Sequence, residues 1–172
     1  KKNAGKEHIS TAFTLSIIIG LLFTIIICFL SPWIANLIAD DTLTFPLRLM
    51  SINILLHSLI STGNAILYRN LNFKRVGINS IISYLVSGII GVLMAYNGIG
   101  LLAIVIQPIL YSLVTLILLY VFSVKIPRFI IYRSEIKGIV SFGGWLTLGV
   151  ILNNISHQLD KLVLSKWLSV NI

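Results

Sequence analysis

Acid is nearly missing from this sequence. Asp and Glu together number 5 in 172 residues, against 13 Lys and Arg, and all charged residues make up only 10% of the chain. A soluble domain cannot clothe its surface from so little charge when 57% of its residues are hydrophobic and the mean hydropathy is +0.99. The chain therefore reads as an integral membrane protein. Cysteine occurs once, at Cys28 inside an apolar run; this excludes an internal disulfide and any multi-cysteine metal site, and leaves a small packing residue. Catalysis needs a nucleophile beside a base, paired carboxylates, or metal ligands at workable spacing. None is present: His8, His57 and His157 have no His or Cys neighbour at ligand spacing, and no glycine-rich phosphate loop appears. A protein with no catalytic residues, metal or cofactor is expected. The net charge of +8 lacks the basic stripe with interleaved aromatics that nucleic acid calls for, so no nucleic-acid partner is expected; the positive-inside bias of membrane loops accounts for it.

What the chain has instead is long hydrophobic runs. Residues 12–30 follow a basic, polar start, and at about 20 residues the run fits a bilayer span rather than the roughly 7 to 15 residues of a signal-peptide core. It is expected to end at Ser31-Pro32-Trp33, with Trp33 in the interfacial aromatic belt, and a short segment behind Pro32 leads to the polar turn Asp40-Asp41-Thr42. Pro46 opens a second span over 47–68. A third, over 76–96, places Ser83, Ser87 and Gly91 four apart, the small-residue spacing that lets transmembrane backbones approach closely. Asn97-Gly98-Ile99-Gly100 makes a tight turn into the fourth span, 101–122, where Pro108 should produce a kink. The fifth, 142–168, carries Gly143-Gly144 at its start, where a late beginning or a bend is expected.

The connections sort by charge. Lys1, Lys2 and Lys6, then Arg69, Lys74 and Arg75, then Lys125, Arg128, Arg133 and Lys137 fall on one side; only Arg48 falls on the other, beside Asp40 and Asp41. This asymmetry places the amino terminus and both basic loops in the cytoplasm. The connection 123–138 reads as a surface-lying link whose cations meet anionic headgroups. The expected fold is an all-α integral membrane bundle of about five transmembrane helices. An opening on Lys-Lys-Asn without Met, and a stop at Ile172 inside a periodic segment, predict a fragment of a longer polypeptide.

Three spans carry polar lines. On the second, Asn53, His57, Ser61, Asn64 and Tyr68 fall within a sector of about 80°. On the fourth, Gln107, Tyr111 and Thr115 recur every fourth residue. On the fifth, Asn153, His157, Asp160 and Lys161 share a sector of about 100°. Ionisable groups in hydrocarbon are costly and usually face a hydrated cavity or a partner. Ser80, Ser83, Ser87 and Thr115 read as interhelical hydrogen-bonding groups; for Asn53 and His57 bonding and cavity lining are evenly matched, and for His157, Asp160 and Lys161 a cavity is favoured. Lys161 and Lys166 could alternatively snorkel to the interface. Several polar faces around a hydrated path suit a transporter better than an enzyme.

Particular strings add to this. Tyr68-Arg-Asn-Leu-Asn-Phe-Lys-Arg75, the turn Asn-Gly-Ile-Gly100 followed by Gln107, and Ser141-Phe-Gly-Gly-Trp-Leu-Thr-Leu with Leu159-Asp-Lys-Leu-Val-Leu164 resemble bacterial polysaccharide flippases. These are the O-antigen, teichuronic-type and exopolysaccharide exporters of the multidrug/oligosaccharidyl-lipid/polysaccharide exporter superfamily. The likeness runs over nearly the whole chain. It implies a fragment of a two-lobe transporter, with helices three to six of the first lobe over 1–122, a basic cytoplasmic inter-lobe link over 123–138, and the first helix of the second lobe over 139–172. It also implies that undecaprenyl-pyrophosphate-linked oligosaccharide is flipped from the cytoplasmic to the periplasmic leaflet of the bacterial inner membrane. Expected partners are that lipid-linked oligosaccharide, membrane lipids, and the polysaccharide polymerase and chain-length machinery.

Under this resemblance Asn53, His57, Asn64, Gln107 and Asn153 become candidates for sugar hydroxyls, and His157, Lys161 and Arg48 for the anionic pyrophosphate. Coupling to a proton or sodium gradient is implied, with Asp160 the acid placed to take part. Arg48 and Asp160 are expected to pair, since each otherwise lacks an opposite charge. One rival is a cation-coupled multidrug exporter of the same superfamily, which an inward row of acids would favour. Another is a membrane enzyme acting on lipid-linked sugars, which would need a large periplasmic loop with catalytic Arg or His. A purely structural subunit would not need lines of Asn and His on adjacent spans.

Overall fold

In a membrane every backbone N–H and C=O must find a partner inside the protein, so a chain of long apolar runs has only helices or a closed barrel open to it. The computed structural model describes residues 2–37 and 41–169, with side chains over 7–37 and 42–155. It contains α1 (Lys2–Leu37), α2 (Thr44–Arg69), α3 (Phe73–Tyr96), α4 (Gly100–Ile117) prolonged by a π turn (Leu118–Ser123), and α5 (Arg133–Ser169). A short 3-10 turn (Asp41–Leu43) precedes α2. All five helices are long and apolar enough to cross a membrane, and no strand occurs among the described residues. The expected all-α membrane bundle is what forms. The chain divides into two units, 1–131 and 132–172.

In the first unit α2 packs against α1 and α4, and α3 packs chiefly against α4. The contact faces are built from small and hydroxyl residues. Gly20 of α1 receives Ser58 of α2 so closely that a methyl group there would lie 2.7 Å from the Ser58 Cβ. Gly63 of α2 likewise receives Leu119, with Cγ 2.9 Å from where a Cβ would stand. Thr24 Oγ1 donates across the first of these interfaces to the Ser51 carbonyl at 3.0 Å. Outward, by contrast, Ile18, Leu22, Ile81, Leu85, Ile89 and Ile117 are exposed. The polarity is that expected of a protein dissolved in lipid, where close backbone approach rather than apolar burial holds helices together.

Two local expectations are corrected. Helix α1 does not stop at Ser31-Pro32-Trp33 but runs through Pro32 to Leu37. Proline removes the N–H that would bond the carbonyl four residues earlier, which is that of Cys28. Ser31 Oγ donates to that carbonyl at 2.8 Å, so the helix continues with no acceptor stranded. Helix α5 begins at Arg133, inside the stretch expected to lie along the surface as a link, and passes Gly143-Gly144 without a break. Each helical glycine costs about 1 kcal/mol relative to alanine, whereas each backbone group left unbonded in hydrocarbon costs several kcal/mol. Continuity wins. Between Ser123 and Arg133 the chain has no regular structure, and the ring of Phe129 in this segment lies tilted against that of Phe13 of α1, with centroids 5.2 Å apart.

Candidate functional site

Helix α2 has two packing faces and a third that the first unit covers only in part. Ser51 and Ser58 meet α1, while Ile60 and Leu67 form an apolar cluster with Leu119. Between these faces runs the polar line foreseen from the sequence. His57, Ser61 and Tyr68 on it are exposed, and Asn53 and Asn64 are half-buried. At 1.5 Å rise per residue the line from Asn53 to Tyr68 is about 22 Å long. Asn53 is fixed by α4, because Ser112 Oγ donates to its Oδ1 at 2.6 Å. Its amide NH2, a donor only, has no partner among the described residues. Ser61 Oγ donates to the Ser58 carbonyl at 2.9 Å and can still accept. The Tyr68 ring lies 5.9 Å from that of Phe73, at the basic end of the line.

The line on α4 is disposed differently. Thr115 Oγ1 donates to Ser83 Oγ of α3 at 2.9 Å, Tyr111 stacks on Tyr84 with ring centroids 4.3 Å apart, and the stem of Gln107 covers Gly91, where a Cβ would stand 3.3 Å from Gln107 Cγ. This line joins α4 to α3, and only Gln107 on it remains exposed. The candidate sugar contacts Asn53, His57 and Asn64 thus share one surface, which Gln107 does not extend along α2.

Arg48 is exposed and has a neutral partner, its Nε donating to Ser31 Oγ at 3.2 Å. The same serine that repairs the helix at Pro32 therefore anchors this guanidinium. In the second unit Asn153 is exposed and lies with Phe142, Trp145, Leu146, Gly149 and Val150 along one face of α5. His157, Asp160 and Lys161, and with them the Arg48–Asp160 pair, lie outside the described side chains.

Sequence reasoning missed Ser112 and Ser31, as well as the groups that hold the end of α4. There Val124 N–H closes the π turn on the Leu119 carbonyl at 2.7 Å, Asn79 Nδ2 of α3 donates to Ser123 Oγ at 3.2 Å, and Tyr120 Oη donates to the Leu59 carbonyl at 2.7 Å. Arg75 Nη1 approaches the Phe122 and Ser123 carbonyls at 3.5 Å. Ser31 carried a signal, since a hydroxyl just before a proline can serve the carbonyl that proline leaves free.

Residues 1–172 match the family described as polysaccharide biosynthesis protein. The chain belongs to that family. The succinoglycan biosynthesis transport protein ExoT of Rhizobium meliloti (strain 1021) is 26% identical to this family member over 165 residues, covering 96% of the chain and 33% of that protein. The chain thus spans a third of the length of that curated relative. No solved structure matches it. Family and helices together make this a multi-pass membrane member of the polysaccharide biosynthesis family.

Proposed function

We propose that the chain is part of a flippase that carries an undecaprenyl-pyrophosphate-linked oligosaccharide from the cytoplasmic to the periplasmic leaflet of the bacterial inner membrane. No bond is made or broken. The observation that carries this reading is the α2 line, whose His57, Ser61 and Tyr68 are exposed while the hydroxyl groups between the helices are bonded within the unit. A row of uncharged donors and acceptors suits sugar hydroxyls, and placing it on a membrane-crossing helix costs free energy unless a hydrated path runs beside it. The relative's own description as a succinoglycan transport protein supports the same substrate class.

On this reading Asn53 presents its NH2 to the sugar while Ser112 holds its oxygen, so the amide is oriented before the substrate arrives. His57 and Asn64 contribute further sugar contacts, and Asn153 contributes from α5. His157 and Lys161 counter the pyrophosphate, Asp160 takes part in coupling to a proton or sodium gradient, and the lipid tail stays in the bilayer. The amino terminus of the chain is cytoplasmic, and polymerase and chain-length proteins receive the product. Deleting the gene for the full-length protein should make lipid-linked repeats accumulate on the cytoplasmic face while surface polymer disappears. Normal surface polymer with altered sensitivity to cationic drugs would replace this reading by the multidrug one.

A further inference from the structure

Two helices of the first unit end in the same backbone motif at opposite ends of the bundle, with different residues at the critical position. After α3, Gly98 takes φ 81° and the turn closes by Gly98 N–H to the Ala95 carbonyl and Ile99 N–H to the Met94 carbonyl, each 3.1 Å. After α2, Leu71 N–H bonds the Tyr68 carbonyl at 3.0 Å and Asn72 N–H the Leu67 carbonyl at 2.9 Å, and the left-handed residue is Leu71, at φ 53°. Glycine adopts this conformation without penalty and leucine does not. Leu71 gains little from the rest of the protein in return, for its side chain is 75% exposed. Phe73 beside it is 57% exposed. Around these two stand Arg69, Lys74 and Arg75, and the loop contains no acid. Arg75 reaches toward the end of α4, which leaves Arg69 and Lys74 as the outward cations.

We propose that residues 68–75 form an anchor for anionic glycerophospholipids, with Leu71 and Phe73 entering the acyl boundary and Arg69 and Lys74 holding the headgroup phosphate. A lipid surface supplies the apolar burial that offsets the strained leucine, and the cations select its negative headgroups. The inference does not depend on the proposed transport.

The test uses the full-length protein in nanodiscs, with its other cysteines replaced (Cys28→Ser here) and a bimane fluorophore on Asn70→Cys. Quenching by brominated phosphatidylglycerol is compared with quenching by brominated phosphatidylcholine. A preference for the anionic lipid of about fivefold for each engaged cation is expected, lost in the Arg69→Gln, Lys74→Gln double variant. Leu71→Ala should weaken quenching by both lipids alike. Leu71→Gly should do the same while raising the unfolding temperature, because it relieves the backbone. Equal quenching of the unaltered loop by both lipids, or an undiminished preference in the double variant, overturns the proposal. So does displacement by millimolar pyrophosphate beyond that caused by potassium chloride of equal ionic strength, which would make the loop a soluble-phosphate site.

Discussion

Helices α3 and α2 both carry a line of polar residues at roughly four-residue spacing, and the two lines do opposite things. On α3 the line is Asn79, Ser83, Ser87 and Gly91, all buried. Ser83 Oγ donates to the Asn79 carbonyl at 2.7 Å and accepts from Thr115 at 2.9 Å, so one hydroxyl serves its own helix and the next. On α2 the line of His57, Ser61 and Tyr68 stays exposed. The difference lies in side-chain reach. A hydroxyl on a short stem can satisfy itself on a carbonyl of its own turn, and it lets another helix come close. Histidine and tyrosine reach past their own turn, and on α2 His57 and Tyr68 stay exposed. Hydroxyls, with Asn79 and Gly91, join α3 to its neighbour, whereas the bulkier His57 and Tyr68 leave a surface of α2 open.

The sharpest way to break this distinction is to add bulk where helices touch. Gly63→Leu should abolish the packing of Leu119 and Tyr120 against α2, since even a Cβ would stand 2.9 Å from Leu119 Cγ and 3.2 Å from the Tyr120 hydroxyl. Overpacking of this kind costs about 1 to 3 kcal/mol or more. Gly63→Ala should already lower the unfolding temperature in detergent. Gly88→Ala should raise it, because nothing lies within 4 Å of a Cβ there and a helical glycine costs about 1 kcal/mol relative to alanine. Equal effects at the two positions would refute the account of the α2–α4 contact.

A smaller effect is expected where the polar line of α3 holds the end of α4. Asn79 is buried, and Asn79→Ala removes the donor to Ser123 Oγ next to the π turn. The loss should be about 1 kcal/mol, the usual net value of a hydrogen bond between side chains in a membrane interior. The Ser123→Ala change should be non-additive with it, as denaturation of the single and double variants would show. Full additivity would mean that the contact carries no energy.

The fold was legible because apolar length and loop charge are summed over many residues, so that no single residue decides the outcome. Helix ends were not. Ser31 and Pro32 look like a stop until one knows that the serine hydroxyl turns back to Cys28, and Gly143-Gly144 look like a break until the medium is known to penalise unbonded backbone. The small-residue face of α3 could be read because its spacing is geometric. The α4 line could be read only in part: Thr115 was expected to bond between helices and does, whereas Gln107 and Tyr111 have the composition of a cavity wall, and only the position of α3 shows that they meet it. The α2 line was found by the same periodicity. Its openness follows from which neighbours leave it uncovered, and that is a property of the assembled unit.

The gentlest change discriminates most between the two lines. His57→Ala removes an exposed side chain, so the unfolding temperature should shift by an amount equivalent to no more than about 0.5 kcal/mol, the range of ordinary surface substitutions, and Asn64→Ala, at a half-buried position, should shift it somewhat more. Export of polymer by the full-length protein should nevertheless fall, and fall further in the double variant, because each side chain contributes separately to holding a sugar chain. Asn53→Ala should do both, lowering export and also stability, since the Ser112 hydroxyl would lose its acceptor. If His57→Ala destabilises as much as Asn79→Ala while export is unchanged, the α2 line joins helices as the α3 line does, and the substrate path must run elsewhere.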